Sequence, residues 1–250
     1  MIWLLLAAIG IGLSLGIFGS GGSVLTLPVL VYLAAQEPKQ AISGALLVVA
    51  LISLASLLPK HTREQIAWQK ALQLGLPGLA GAYLGVWLST YLSGTAQLIL
   101  FAILMLGASL NMWRGAKENI PVAKVDSHLA IYPIGLLVGL LTGLTGVGGG
   151  FLLLPALMRF ADLSFFRARA TSLLLIAANA LLGFVKSWAL LPMPLDWSLL
   201  TLIAATGIVG SLTGQFVTKN WPVARLRKGF ALFLLLLAIA IILNNLLEAL

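Results

Sequence analysis

Apolar segments fill the chain from Ile2 to Leu247, and the one polar linker between them runs from Arg114 to His128. A water-surrounded core cannot absorb such a chain, because 60% of its 250 residues are apolar and only 9% are charged. The class that remains is a membrane protein of one domain. A helix needs about 20 apolar residues to cross the hydrocarbon. The apolar segments lie near 2–17, 22–35, 40–59, 70–91, 95–113, 129–145, 150–161, 169–186, 198–218 and 229–247. The first has no basic residue ahead of it and no convincing cleavage pattern after it, so it is expected to remain in the mature protein.

The linker divides the chain into similar lengths, and the two sides repeat. A slide of 127 positions lays Gly16-Ile17-Phe18-Gly19-Ser20-Gly21-Gly22-Ser23 through Pro28 on Gly143-Leu144-Thr145-Gly146-Val147-Gly148-Gly149-Gly150 through Pro155, without a gap. The match continues through Ala41 on Ala168, and a further two-residue shift lays Gly78, Gly81 and Gly85 on Gly207, Gly210 and Gly214. The chain therefore reads as an internal duplication, with repeats at 1–113 and 129–250 joined by a cytoplasmic linker at 114–128.

Orientation follows from Lys and Arg, which concentrate in cytoplasmic connections. Lys60, Arg63 and Lys70, then Arg114, Lys117 and Lys124, then Lys219, Arg225, Arg227 and Lys228 mark three such connections. Counting spans back from these makes 2–35 a hairpin that begins and ends outside, and 129–161 a hairpin that begins and ends inside. It also puts Arg159, Arg167 and Arg169 on the cytoplasmic side and both termini on the periplasmic side. Hairpin arms of 12 to 17 residues span only about 18–26 Å, so they are either re-entrant or short and tilted. The expected fold is an all-α polytopic membrane protein of two inverted repeats, each a glycine-turn hairpin plus three transmembrane helices. Inverted repeats are a signature of transporters.

Non-helical backbone inside a bilayer is tolerated only where protein or a water-filled cavity satisfies its polar groups. The turns Gly19-Ser20-Gly21-Gly22-Ser23 and Thr145-Gly146-Val147-Gly148-Gly149-Gly150 each open a new helix. Each thus offers free N–H groups and the positive end of a helix dipole, with glycines that let a ligand approach the backbone. Candidate hydroxyl donors beside them are Ser20, Ser23, Thr26, Thr142 and Thr145, with Asn179, Ser43, Ser53, Thr171 and Ser172 as weaker candidates. Four glycines in five residues at 146–150 disfavour a helix, so a site is the preferred reading of the turns. The helically spaced Gly78, Gly81, Gly85, Gly207, Gly210 and Gly214 are instead expected to pack helices. Lys186, near an outer helix end, is read as an anchor.

Several functions are excluded by what is missing. The seven acidic residues, Glu37, Glu64, Glu118, Asp126, Asp162, Asp196 and Glu248, all lie near segment ends or in connections, which disfavours a cation pathway or a carboxylate proton relay. His61 and His128 are also in connections, and Gly19-Ser20-Gly21 has no partner base, so no enzyme is expected. With no cysteine there is no disulfide or thiolate metal site, and no cofactor or metal is expected. No lysine follows either turn as a Walker A motif requires. The net charge of +8 sits beside apolar helices, where topology and lipid headgroups account for it, so nucleic acid is not an expected partner.

The doubled glycine turn with its following Pro, together with Ala168-Arg169-Ala170-Thr171-Ser172-Leu173, resembles the TauE/SafE family, the sulfite exporter or TSUP group. The resemblance covers essentially the whole chain, with one departure: Ile42-Ser43-Gly44 stands where the second half reads Arg169-Ala170-Thr171. Membership would imply transport of sulfite, sulfonates, thiosulfate or related carboxylates across the bacterial inner membrane. The leading expectation is a secondary transporter of a small anion working by alternating access. An anion channel, a small-carboxylate carrier, and a membrane assembly protein whose glycines only pack are the alternatives. Partners are the anion and the bilayer, and a homo-oligomer is compatible with the sequence.

Overall fold

A computed structural model describes residues 2–115, 127–145, 150–190, 194–217 and 222–248. The elements are α1 (Ile2–Phe18), α2 (Gly21–Pro28) running into a π-helical turn (Val29–Leu33), α3 (Pro38–Ser56), α4 (Lys60–Arg63), α5 (Trp68–Ser89) and α6 (Gly94–Gly115). They continue with α7 (Ser127–Thr145), α8 (Gly150–Phe160), α9 (Phe165–Leu190), α10 (Trp197–Val217) and α11 (Val223–Glu248). Each expected apolar segment contains a helix. The main differences are the short α4 within a basic connection, an α9 that starts at Phe165 rather than the predicted 169, and an α11 that starts at Val223 rather than the predicted 229, inside what was expected to be a basic connection. The expected linker at 114–128 lies for the most part outside the described residues.

Four helices, α3, α5, α9 and α10, are long and apolar enough to cross a membrane, and shorter apolar helices cover 2–18, 22–33, 94–110, 131–145, 150–160 and 228–243. Large apolar side chains also face outward. Leu72, Leu76, Tyr83, Leu84 and Trp87 of α5 are all exposed, an outer surface that suits hydrocarbon rather than water.

The ends of the two hairpins are built alike. The second arm of each stops at a left-handed residue, Ala35 (φ 51°) and Asp162 (φ 53°), which are 127 positions apart. The next amide donates across the end of the arm in both, Gln36 N to Leu30 O (3.0 Å) and Leu163 N to Leu157 O (3.3 Å). Pro28 and Pro155 are carried inside their helices, and in the first arm the turn after Pro28 widens to π geometry.

The glycines decide how the helices pair. In α1, Gly12 faces the Gly207 carbonyl of α10 and Gly16 faces that of Ser211, so the two helices run parallel with backbone against backbone. In α7, Gly135, Gly139 and Gly143 face the carbonyls of Leu74, Gly78 and Ala82 in α5, again parallel. The packing role expected of Gly78, Gly81, Gly85, Gly207, Gly210 and Gly214 is what is found, since each lies against a neighbouring helix. A second set of contacts extends each pair. Ile52 and Ser56 of α3 meet Gly207 and Ser211 of α10 in parallel, and Leu175 and Asn179 of α9 meet Gly75 and Gly78 of α5 in parallel. Between the two trios, α3 and α9 run antiparallel, with Ser43 hydrogen-bonded to Ser187 (2.6 Å) and Leu46 against Gly183.

Candidate functional site

The first turn is a sharp reversal at the end of α1. Gly19 sits at φ +68°, and any β-carbon there would run into the Arg169 side chain. Its amide bonds to Leu15 O at 2.7 Å, closing α1, and α2 then begins at Gly21 with Ser20 as its N-cap residue. Ser20 is fully buried yet makes no capping bond, because its hydroxyl points to Phe18 O at 3.5 Å. The first amides of α2 are therefore without the side-chain acceptor that normally satisfies them.

The two turns meet. A β-carbon on Gly150, the first residue of α8, would lie 2.9 Å from Ser23 Oγ, 3.0 Å from Ser20 Cα and 2.7 Å from Ile176 Cδ1. Ser23 and Gly150 are also the residues superposed by the 127-position slide, so equivalent points of the two turns touch each other. The N-termini of α2 and α8 are thereby brought together, each carrying roughly half a unit of positive charge.

Arg169 adds a full charge to the same place. It is 3% exposed, its Nη1 donates to Gly16 O (3.2 Å), and its guanidinium lies over the Phe166 ring at 5.5 Å. Its Nε has no partner. Among the described residues the one ion pair is Lys60 with Glu64 on the surface, so no carboxylate answers this cation. Counting basic residues marked Arg169 only as a cytoplasmic topology signal. Because α9 begins at Phe165, the residue is instead a turn inside the helix and against the end of α1. Burying an uncompensated cation costs several kcal/mol, and helix amphipathicity alone gives no sign of it.

The remaining candidates divide. Ser172 of α9, one of the weaker candidates, donates to Gly19 O (3.0 Å) and Arg169 O (2.9 Å), tying α9 to the first turn. Ser23, Thr26, Thr142 and Thr145 are buried and donate to carbonyls of their own chain segment: Ser20 O, Gly22 O, Val138 O and Leu141 O, respectively. Their protons are thus committed to backbone, and what they offer at the turns is oxygen lone pairs. Gly21 and Gly22 open α2, and Gly22 is held against Ile11 O and Leu15 of α1. Asn179 is 2% exposed, faces Gly78, and leaves its Oδ1 without a partner. Ser43 and Thr171 are not brought to the turns. Ser43 is bonded to Ser187, while Thr171 accepts from Ala67 N (3.0 Å) and donates to Arg167 O (2.7 Å). Gly146, Gly148 and Gly149 lie outside the described residues. Lys186 donates to Tyr83 OH (2.6 Å) and lies over its ring.

Among the described residues no cluster of His, Cys, Asp or Glu could hold a metal. The site is built from helix ends, hydroxyls and one arginine. The profile of the sulfite exporter TauE/SafE family matches residues 4–241. The chain belongs to the TauE/SafE family. It is a member of a family of membrane transporters. A Xylella fastidiosa protein named a probable membrane transporter protein is 28% identical over 93% of this chain and 91% of its own length. A Haemophilus influenzae protein of the same name is 25% identical, covering 91% of this chain and 92% of its own. No solved structure gives a significant match. TauE/SafE membership agrees with the doubled glycine turn read from the sequence.

Proposed function

We propose that this TauE/SafE protein is a secondary transporter of the bacterial inner membrane that exports a small anion, most simply sulfite or another sulfur oxyanion or organosulfonate. The observation that carries the reading is the contact of Gly150 with Ser20 and Ser23, which brings two positive helix ends together beside a cation that, among the described residues, has no carboxylate paired with it. Such a place favours an anion whose oxygens can accept from backbone amides. Sulfur oxyanions meet that requirement, and so do small carboxylates. The family name, sulfite exporter, supports the former and the outward direction.

Alternating access is supported by the helix directions. The trio α1, α10 and α3 runs one way and the trio α7, α5 and α9 the other, with the turns between them. Each trio mixes helices from both halves, and each is held by glycine contacts between backbones. Two such bodies rocking about the meeting turns would expose the site to one side and then the other. Both termini then lie on the periplasmic side.

Purified protein in liposomes loaded with sulfite, thiosulfate, sulfate, acetate or chloride tests the reading. Saturable release of a sulfur anion, accelerated by the same anion outside, is expected of a carrier. Unsaturable flux would instead make the protein a channel. No flux of any anion from protein shown to be folded would sink the proposal.

A further inference from the structure

We infer that Arg169 is the charge-reading residue of the first turn, and that it takes two oxygens of the transported oxyanion on the open Nε edge of its guanidinium. The inference rests on the anion reading of the paired turns and assigns a residue to it. Two observations carry it.

First, the side chain is 3% exposed and meets no carboxylate, while one of its five N–H groups is accounted for by the Gly16 carbonyl. A cap for the end of α1 would need that one bond only. Nε, on the edge away from Nη1, is left buried and unpartnered. Phe166 covers one face of the guanidinium and Gly19 lets the stem pass over the turn, so the plane is held in place before any ligand arrives. Fixed in that way, the edge suits a pair of oxygens on sulfur or carbon and does not suit a spherical halide.

Second, the charge is one-sided. The slide that superposes the two turns puts Ile42, a buried residue of α3, where α9 has Arg169. Packing at this position is therefore met by an apolar side chain in the other half, and the arginine is not required by the architecture.

The test uses the full chain in detergent, with sulfite, thiosulfate, acetate and chloride as probes, comparing wild type with Arg169→Gln and Arg169→Lys. Wild type is expected to be stabilised by the oxyanions and not by chloride. The Arg169→Gln protein should bind them at least about tenfold more weakly, the scale of one lost bidentate pair, and Arg169→Lys should fall between. A folded Arg169→Gln protein with wild-type affinity would reduce Arg169 to a cap on α1 and overturn the inference while leaving the transport reading intact. Wild type that binds no anion would remove both. Should Arg169→Gln not fold, phenylglyoxal modification of Arg169 in wild type, read by peptide mass, decides. Protection by sulfite but not by equal chloride is expected, and equal modification in the two salts would overturn the inference.

Discussion

Gly139 of α7 lies so close to the Gly78 carbonyl of α5 that no β-carbon fits between them. Gly139→Ala is therefore expected to lower stability by at least about 1–3 kcal/mol, the range for overpacking, because a backbone carbonyl cannot rotate away. Gly107→Ala in α6, where nothing lies within 4 Å, should be neutral or gain up to about 1 kcal/mol of helix propensity. Melting temperatures of the two variants in the same detergent make the comparison.

Gly150→Ala should separate transport from folding. The added methyl meets Ser23 Oγ, Ser20 Cα and the flexible Ile176 Cδ1 at 2.7–3.0 Å, so the helix ends must move apart by a few tenths of an ångström. Anion flux is expected to drop at least about tenfold, as for a misplaced binding constellation, while the melting temperature falls by only a few degrees. Full flux in liposomes would mean that the contact of the turns is not part of the pathway.

Asn179 leaves a carbonyl oxygen unpaired against Gly78, and the superposed position is Ile52 against Gly207. The fold thus accepts an aliphatic side chain at this kind of site. Asn179→Ile is expected to melt at or above the wild-type temperature, since removing an unsatisfied buried polar atom recovers roughly 1–3 kcal/mol, and to transport more slowly if the amide meets substrate. A variant with lowered stability and unchanged flux would make Asn179 a packing residue.

Gln215 ties three elements together: its Oε1 accepts from Thr62 Oγ1 of α4 (2.7 Å) and its Nε2 donates to Ser56 O of α3 (3.1 Å). Gln215→Leu should cost about 2–4 kcal/mol, because two buried partners lose their bonds at once. Gln215→Glu keeps the acceptor and should cost less near neutral pH only if the carboxyl stays protonated. Urea or thermal unfolding of both variants would show the difference.

With no native cysteine, single cysteines report topology directly. A membrane-impermeant maleimide added to intact cells is expected to label Ser93→Cys, between α5 and α6, and to leave His61→Cys unlabelled until the membrane is opened. The reverse pattern would turn the whole assignment of sides around.

The order and extent of the helices were legible because apolar run length and glycine punctuation are local properties. The pairing of glycine faces was legible in kind, since Gly78, Gly81 and Gly85 lie on one side of a helix, although their partners in α7 were not. Arg169 was missed for a physical reason. Its neighbours Arg159 and Arg167 read as a solvated basic stretch, and only the arrival of the end of α1, 150 residues earlier in the chain, covers it. The hydroxyls at the turns were located correctly by spacing as buried residues, but a sequence does not reveal that Thr26, Thr142 and Thr145 spend their protons on their own helices.

The pairing of α1 with α10 and of α7 with α5 has a consequence for any half-length version of this chain. Residues 1–113 alone would present two strips of naked peptide, on α1 and on α5, with no surface of their own able to cover them. Such a fragment would be at home only beside a second copy threaded through the bilayer the opposite way, each lending the other its missing helix. The parallel neighbour that each of these helices needs is held by the other half, and carrying both halves in one chain fixes their proportion at one to one.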